Sequence, residues 1–405
     1  VTHAGSLLPF DAALERLLAL SGPLAPERRA IADAEGRHLA QDVFARLTQP
    51  PADVSAMDGY ALRFHDLPGP LIVAGESAAG RPLGLALGPG QAARIFTGAH
   101  VPAGADTVAV QEDAVAEGDA VSFPASGPPA PGAHIRRRGI DFCEGALVAQ
   151  AGDRLSPARL GLVAAAGLAD VSVHCRPRVA LLSTGDELVA PGTTPSAGQI
   201  IGSNALMIAA LLRSFDADVT DFGIVEDRRE ALAAAIESAR GHDLLVTIGG
   251  ASVGDHDLVK PVLQEAGARI DFWKVAIRPG KPLLAGRLGK GACETLVVGL
   301  PGNPVSAFVC ARILLGPLLR HLGGSRSPRD TLTMATAAVA LGRNGPRRDF
   351  MRANVSPGAD GPIITPAIAQ DSSLLSVLAG ANALLVRPEN APRVEAGERV
   401  PMLSL

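Results

Sequence analysis

Glycine-rich turns recur at four places between Pro177 and His321, and all but the last carry a carboxylate or a cation. Ser183-Thr184-Gly185-Asp186-Glu187 follows the apolar run Val179-Ala180-Leu181-Leu182, and Gly249-Gly250-Ala251-Ser252-Val253-Gly254-Asp255-His256-Asp257 follows Leu244-Leu245-Val246-Thr247-Ile248. Arg278-Pro279-Gly280-Lys281-Pro282 and Leu300-Pro301-Gly302-Asn303-Pro304-Val305-Ser306 continue the series. Glycine lets backbone N–H groups approach an anion closely, and a helix N-terminus behind the turn adds favourable partial charge. Several oxygens converging from one loop suit a hard cation. Mixed with Lys and Arg, these turns describe a site for a phosphate-bearing ligand and a divalent cation.

Such turns gain meaning from the elements before and after them. The pattern predicts a strand at 179–183, a helix at 203–215, a strand at 218–224, a helix at 228–240 and a strand at 244–248. It continues with a helix at 258–266, strands at 270–277 and 296–298, and a helix at 305–322. Alternation at this spacing implies a mostly parallel sheet with right-handed crossovers and helices on both faces. Ligands bind at the carboxyl ends of such strands, where all four turns fall. The first strand is followed by no Gly-x-Gly-x-x-Gly and no Walker A lysine loop is present, so dinucleotide and P-loop sites are disfavoured.

Around this α/β unit, 177–326, the texture differs. Residues 9–40 read as helix, with Asp11 as a cap and Gly22-Pro23 as a stop, and a second helical patch follows Ser156-Pro157. Segments 1–46 and 153–176 therefore form a helical linker domain, interrupted at 47–152 by an all-β insertion of short runs punctuated by Gly and Pro. Past Gly323-Gly324-Ser325-Arg326-Ser327-Pro328, residues 327–405 are again short strands and read as a small β-barrel or sandwich. The expected fold class is multidomain, α/β and β.

Composition narrows the function. A chain of 405 residues that is 47% hydrophobic and 19% charged folds into several cores, and a net charge of −4 gives no field for nucleic acid or an anionic membrane. Cys143, Cys175, Cys293 and Cys310 are far apart, and the nine histidines show no ligand spacing, so zinc and disulfide scaffolds are disfavoured. No apolar run reaches the roughly 18 residues that span a bilayer, and no basic segment precedes an apolar signal run, so a soluble cytoplasmic protein is expected. Basic residues are almost all Arg. The four lysines, Lys260, Lys274, Lys281 and Lys290, fall in one short stretch. Where a compact, exchangeable charge is needed, Lys serves differently from planar Arg.

Each candidate has a structural competitor. Glu187 could simply satisfy turn N–H groups. Asp227 begins a capping-box pattern, Asp227-Arg228-Arg229-Glu230, and Asp257 also precedes a helix. Asn303-Pro304 reads as an N-cap followed by Pro at the first helical position. Lys274, Arg278 and Lys281 could be solvated strand-end charges. Asp58 in Val54-Ser55-Ala56-Met57-Asp58-Gly59-Tyr60-Ala61, Thr97 in Phe96-Thr97-Gly98-Ala99, and Asp141 after Arg136-Arg137-Arg138-Gly139-Ile140 read as turn residues when taken singly.

Together, and in order along nearly the whole chain, these strings resemble the molybdopterin molybdenumtransferase family, which includes the bacterial MoeA proteins and the E domain of gephyrin. The resemblance implies that adenylylated molybdopterin binds in the α/β domain, molybdate is inserted into the dithiolene and AMP leaves with Mg²⁺ assisting. It further implies Glu187, Asp227 and Asp257 as metal ligands, and Lys274, Arg278 and Lys281 as contacts to phosphate or molybdate. Ser183, Thr184, Gly185, Gly249, Gly250, Ser252, Gly254, Pro301, Gly302, Asn303 and Pro304 would line the substrate site, with Arg352 and Ser372 in the tail as oxyanion contacts. An elongated homodimer is implied as well, in which Asp58, Thr97 and Asp141 of one subunit complete the other's pocket. Two rival readings are a molybdopterin adenylyltransferase, which would need neither β domain, and a gephyrin-like scaffold, which would come with fused domains. Contacts with an adenylyltransferase and with cofactor-accepting proteins would follow from the assembly role.

Overall fold

The computed structural model describes residues 7–123, 127–250, 258–281, 283–289, 291 and 294–405. At its centre is a six-stranded sheet built from β1 (Arg178–Thr184), β2 (Asp218–Val225), β3 (Leu244–Ile248), β4 (Ala268–Trp273), β5 (Leu284–Leu288) and β6 (Thr295–Leu300), in the order β2-β1-β3-β6-β5-β4. The first four in that order run parallel, and β5 is antiparallel to both β6 and β4. β1, β3 and β6 are buried over almost every residue, as strands covered on both faces must be.

The period-two alternation of the strands separates two cores. Val179, Leu181, Val246 and Val298 pack towards α1 (Asn204–Ser214) and α4 (Pro304–Leu322), whereas Ala180, Leu182, Leu245 and Val297 pack towards α2 (Arg229–Ser238) and α3 (Val259–Glu265). α4 is the one helix among the described residues long and apolar enough to cross a membrane, but 78% of it is buried and Val305, Val309, Ile313 and Leu318 sit in the first core.

Two readings of the sequence are corrected within this unit. The run 270–277 is not one strand: the backbone turns left-handed at Lys274 (φ +79°), and Ile277–Arg278 leaves the sheet to pair with Arg348–Asp349 of the C-terminal domain. The strand β5 is an addition that the pattern did not suggest.

The segment 9–40 is also corrected. Only Phe10–Leu18 is α-helical, with a single 3₁₀ turn at Ile31–Asp33, and Asp11 does not cap the helix; that carboxylate receives Arg348 Nη1 and Nη2 at 2.9 and 2.8 Å. Pro26–Ala30 is a strand, antiparallel to Asp170–His174, and Val43–Phe44 pairs with Leu147–Ala149. The linker is thus two ribbons around the helix Pro157–Ala165, which Ser156 caps by accepting from Arg159 N–H at 3.3 Å. The insertion carries its own six-stranded sheet, with Gly59–Leu62 between Thr107–Val110 and Gln91–Ile95.

In the tail, Arg348–Ser356 pairs on one side with Ile363–Pro366 and on the other with Ala383–Arg387. Thr333–Ala337 and Arg399–Ser404 complete the ring, so five strands close into a barrel without a free edge.

Candidate functional site

Sheet order decides where a ligand fits. From β1 the chain crosses to β2 on one side, then returns past β1 to β3 on the other, so neighbouring crossovers diverge between β1 and β3. At such a switch point the two strand ends leave a crevice between their following turns. A cleft of about 700 Å³ lies there, lined by Ser183, Thr184, Gly185, Glu187, Asp227, Gly249, Gly250, Pro301, Gly302, Asn303 and Pro304.

Glycine is required in two of these turns. Gly249 has φ +89°, and a Cβ would stand 2.5 Å from the Thr184 carbonyl oxygen. Gly185 has φ +149°, a conformation L side chains rarely adopt, and the Glu187 carboxylate lies 2.7 Å from where a Cβ would stand, a contact that the flexible Glu187 side chain could relieve. The Gly249 turn thus packs against the end of β1, and Glu187 lies over Gly185 with no hydrogen bond or ion pair to its carboxylate among the described residues.

Asp227 does not cap α2. Arg228 occupies the N-cap position with no side-chain cap, and the Asp227 carboxylate instead accepts from Thr184 Oγ1 at 3.3 Å, while its backbone N–H donates to Asp186 Oδ1 at 3.1 Å. Asn303 likewise sits at the N-cap of α4 without using its side chain there. Its Nδ2 donates to Ser372 Oγ at 3.1 Å, and Val305 N–H donates to the Ser372 carbonyl at 3.1 Å. The barrel loop is thus seated on the start of α4. Ser373, rather than Ser372, reaches the cleft wall.

Behind that loop, Arg352 is 1% exposed, donates from Nη2 to the Asp371 carbonyl at 3.1 Å and leaves Nε without a partner. Desolvation lowers its pKa below the usual arginine value. Gln370 clamps the same strand, accepting from Arg352 N–H at 3.1 Å and donating to the Arg352 carbonyl at 2.9 Å. Arg278 makes a forked ion pair to the buried Asp349, with Nε at 2.9 Å, and that hydrogen bond raises its pKa. Lys274 places its ammonium 4.7 Å from the Trp273 ring centre, and Lys281 is exposed. None of Lys274, Arg278, Lys281, Arg352 and Ser372 is part of the 700 Å³ lining.

Nor are Asp58, Thr97 and Asp141. Ser55 Oγ bridges the Met57 carbonyl and N–H to hold the turn, and Asp58 Oδ1 accepts from Thr97 N–H at 2.7 Å and Thr97 Oγ1 at 2.9 Å. Those two bonds keep the Asp58 carboxyl below its ordinary pKa. Asp141 is exposed, and its backbone N–H bonds the Gln49 carbonyl at 3.1 Å. No hydrogen bond joins it to Asp58 or Thr97 among the described residues. Asp257, Ser252 and Gly254 lie outside the described residues.

One wall escaped the sequence pattern. Ile200, Ile201, Gly202, Ser203 and Asn204 line the cleft on the side of the ribbon Leu188–Val189 with Ile200–Ile201, and Asn204 Nδ2 donates to the Gly302 carbonyl at 2.6 Å. The signal was Gly202-Ser203-Asn204 ahead of a helix. A larger cleft of about 1010 Å³ opens at the opposite, amino-terminal ends of the strands. Its guanidiniums are already matched: Arg29 and Arg37 with Glu27, Arg176 with Asp216, Arg178 with Asp243, and Arg213 with the Val219 carbonyl. It gathers none of the glycine turns, so the chemistry points to the smaller cleft.

Three family models cover the chain: "MoeA N-terminal region (domain I and II)" at residues 8–167, "Probable molybdopterin binding domain" at 180–321 and "MoeA C-terminal region (domain IV)" at 334–405. A molybdopterin molybdenumtransferase of Haemophilus influenzae is 36% identical over 401 residues, 97% of this chain and 98% of that protein. Molybdopterin molybdenumtransferase 2 of Mycobacterium tuberculosis is 38% identical over 93% of this chain and 94% of its own length. Two solved structures of the molybdopterin biosynthesis MoeA protein of Pyrococcus horikoshii superpose with TM-scores of 0.78 and 0.83, at 30% and 26% identity, covering 98% and 99% of this chain and 99% and 100% of theirs. The chain belongs to the molybdopterin molybdenumtransferase family.

Proposed function

We propose that this transferase, which inserts molybdenum into molybdopterin, takes the adenylylated form of its substrate into the cleft between β1 and β3 and releases AMP with Mg²⁺ assisting. The observation that carries the reading is the cleft's donor set: Glu187 and Asp227 facing the same space as Thr184, Gly249-Gly250 and the start of α4. Among the described residues no three acidic, His or Cys side chains cluster tightly enough to hold a metal by themselves. Mg²⁺ takes oxygen ligands from carboxylates, substrate phosphates and water together, so the described carboxylates need not enclose it alone. Glu187 and Asp227 would hold it, with Asp257 as the third oxygen donor, and bound there it would neutralise charge developing on phosphate oxygens.

The remaining work is positioning and charge. The Gly249-Gly250 turn lets a phosphate approach backbone that carries no side chain, the N-terminus of α4 adds favourable partial charge, and Thr184 orients the Asp227 carboxylate. Lys274, Arg278 and Lys281 follow β4, which runs in the same direction as β6, so they stand at the same end of the sheet as the cleft. There they supply positive charge for molybdate, a dianion, together with the Arg352–Ser372 segment of the barrel. Asp58, Thr97 and Asp141, absent from their own chain's cleft, complete that of the second copy in a homodimer.

The test is incubation of the protein with adenylylated molybdopterin, molybdate and Mg²⁺, scoring AMP release and molybdenum incorporation together. Molybdenum incorporation without AMP release, or at an undiminished rate in chelator, would overturn the reading.

A further inference from the structure

Every salt bridge among the described residues uses an arginine: their fixed charge pairs are built from guanidinium groups. Lysine is reserved. Two of the four lysines converge on the only tryptophan of the chain, with Lys260 Nζ 3.9 Å and Lys274 Nζ 4.7 Å from the Trp273 ring centre. Neither ammonium has a carboxylate partner among the described residues. Both lie on one ring, so they are no further apart than the sum of those distances, and they repel each other. The indole face offsets part of that repulsion, because its quadrupole attracts cations.

The backbone holds the arrangement in place. Lys274 adopts φ +79°, uncommon for a residue with a side chain, and is pinned on both sides: its N–H donates to the Leu283 carbonyl at 3.1 Å and its carbonyl accepts from Leu8 N–H at 3.2 Å. Lys260 comes from the first turn of α3, a different element. In register, Trp273 faces Leu284, which faces Gly299, so the ring stands two strands from the end of β6, about 10 Å across the sheet from the turn that opens α4.

We propose that Lys260 is a further anion-binding residue of this transferase, acting with Lys274 on Trp273 as a seat for a tetrahedral oxyanion of the substrates, either molybdate or the adenylyl phosphate. An oxyanion bridging the two ammonium groups removes their mutual repulsion and gains charge-assisted hydrogen bonds from both. Trp273 is a positioning residue: it holds two flexible side chains in a shared geometry before the anion arrives, which lowers the ordering cost of binding. The inference rests on the reading of Lys274 as an anion contact.

The test uses the full chain and two separate probes, sodium molybdate and AMP, titrated calorimetrically at constant ionic strength. The emission of Trp273 is followed in parallel as a reporter at the seat. Lys260→Met keeps the stem against the indole and removes the charge; it is expected to weaken one of the two anions by about tenfold, with Lys260→Arg recovering most of the loss. Whichever anion is affected identifies the source of the oxyanion. Trp273→Leu should weaken the same anion more than Trp273→Phe, which keeps a π face, whereas Arg393→Gln, a remote loss of one exposed charge, should leave both titrations unchanged. If Lys260→Met titrates within twofold of wild type for both anions while Lys274→Met does not, the seat is wrong and the Lys274 reading stands. Wild-type protein that binds neither anion would overturn both.

Discussion

Asn303 and Ser372 are joined by a 3.1 Å hydrogen bond that crosses from the α/β domain to the barrel. An asparagine standing at a helix N-cap is spent on another domain, and the Val305 N–H of the helix start goes to the same barrel loop. Because the side chain does not cap, Asn303→Ala should cost no more than one such hydrogen bond, about 1 kcal/mol. Ser372→Ala should cost a similar amount, and the double variant little more than either alone, with a coupling of about 0.5–1.5 kcal/mol in a urea-unfolding cycle. Strict additivity would show that the two side chains do not support each other.

Asp227 separates two explanations that the sequence could not. A capping aspartate tolerates replacement by asparagine, since both accept from helix N–H groups. A Mg²⁺ ligand does not, because the charge is what the cation requires. Asp227→Asn and Glu187→Gln are each expected to lower Mg²⁺-dependent AMP release roughly hundredfold, the scale of losing a few kcal/mol of charge stabilisation, with the unfolding midpoint unchanged. Full activity of Asp227→Asn would remove it from the metal site.

What the sequence conveyed and what it hid follow from range. The buried runs of β1, β3 and β6 and their glycine turns are local, so the strand ends and the residues beside them could be read directly. The cap readings at Asp11, Asp227 and Asn303 were local too, and there locality misled: their side chains are claimed by Arg348, Thr184 and Ser372, from 43 to 337 residues away. The ribbon wall at Ile200–Asn204 was hidden because two-residue strands carry no periodicity. Likewise, nothing in Arg278-Pro279-Gly280 says that Arg278 is paired with Asp349.

That pair gives a stability prediction with a bounded size. Asp349 is 5% exposed, so removing Arg278 deprives a buried carboxylate of its forked partner. Arg352 and Arg387 also act on it electrostatically, so the charge is not left bare. Arg278→Ala should therefore cost about 1–3 kcal/mol in urea unfolding, below the roughly 3–5 kcal/mol expected for a buried charge left unpaired. Arg278→Lys should recover part of this, having the charge without the fork. An Arg278→Ala protein as stable as wild type would show that the remaining arginines suffice.

His38 sets an acid limit. Burial, with Arg154, His174, Arg320 and Arg37 nearby, pushes its pKa from 6.5 down to about 4. Between those values the unfolded chain binds a proton that the folded chain refuses, so stability falls as pH drops from about 6.5 to about 4 and this contribution levels off below. His38→Gln should flatten that part of the stability profile measured by urea unfolding. An identical slope in the variant would place the acid sensitivity elsewhere.

Asp58 and Thr97 form a hydrogen-bonded pair outside the lining of their own chain's cleft, and the proposed shared-site homodimer makes a numerical prediction from it. Asp58→Asn and Asp227→Asn homodimers should both be inactive, since every site lacks one contribution. In a two-fold dimer carrying one subunit of each, one site collects both lesions and the other is intact. Random re-pairing of equal amounts makes about half of the dimers mixed, each with one working site of two, so activity should recover to about a quarter of wild type. If Asp58 acted within its own subunit, each site of a mixed dimer would carry one lesion. Mixing, with exchange verified by mass spectrometry, would then restore nothing, and the pair would have to reach the cleft of its own chain by a movement of the insertion.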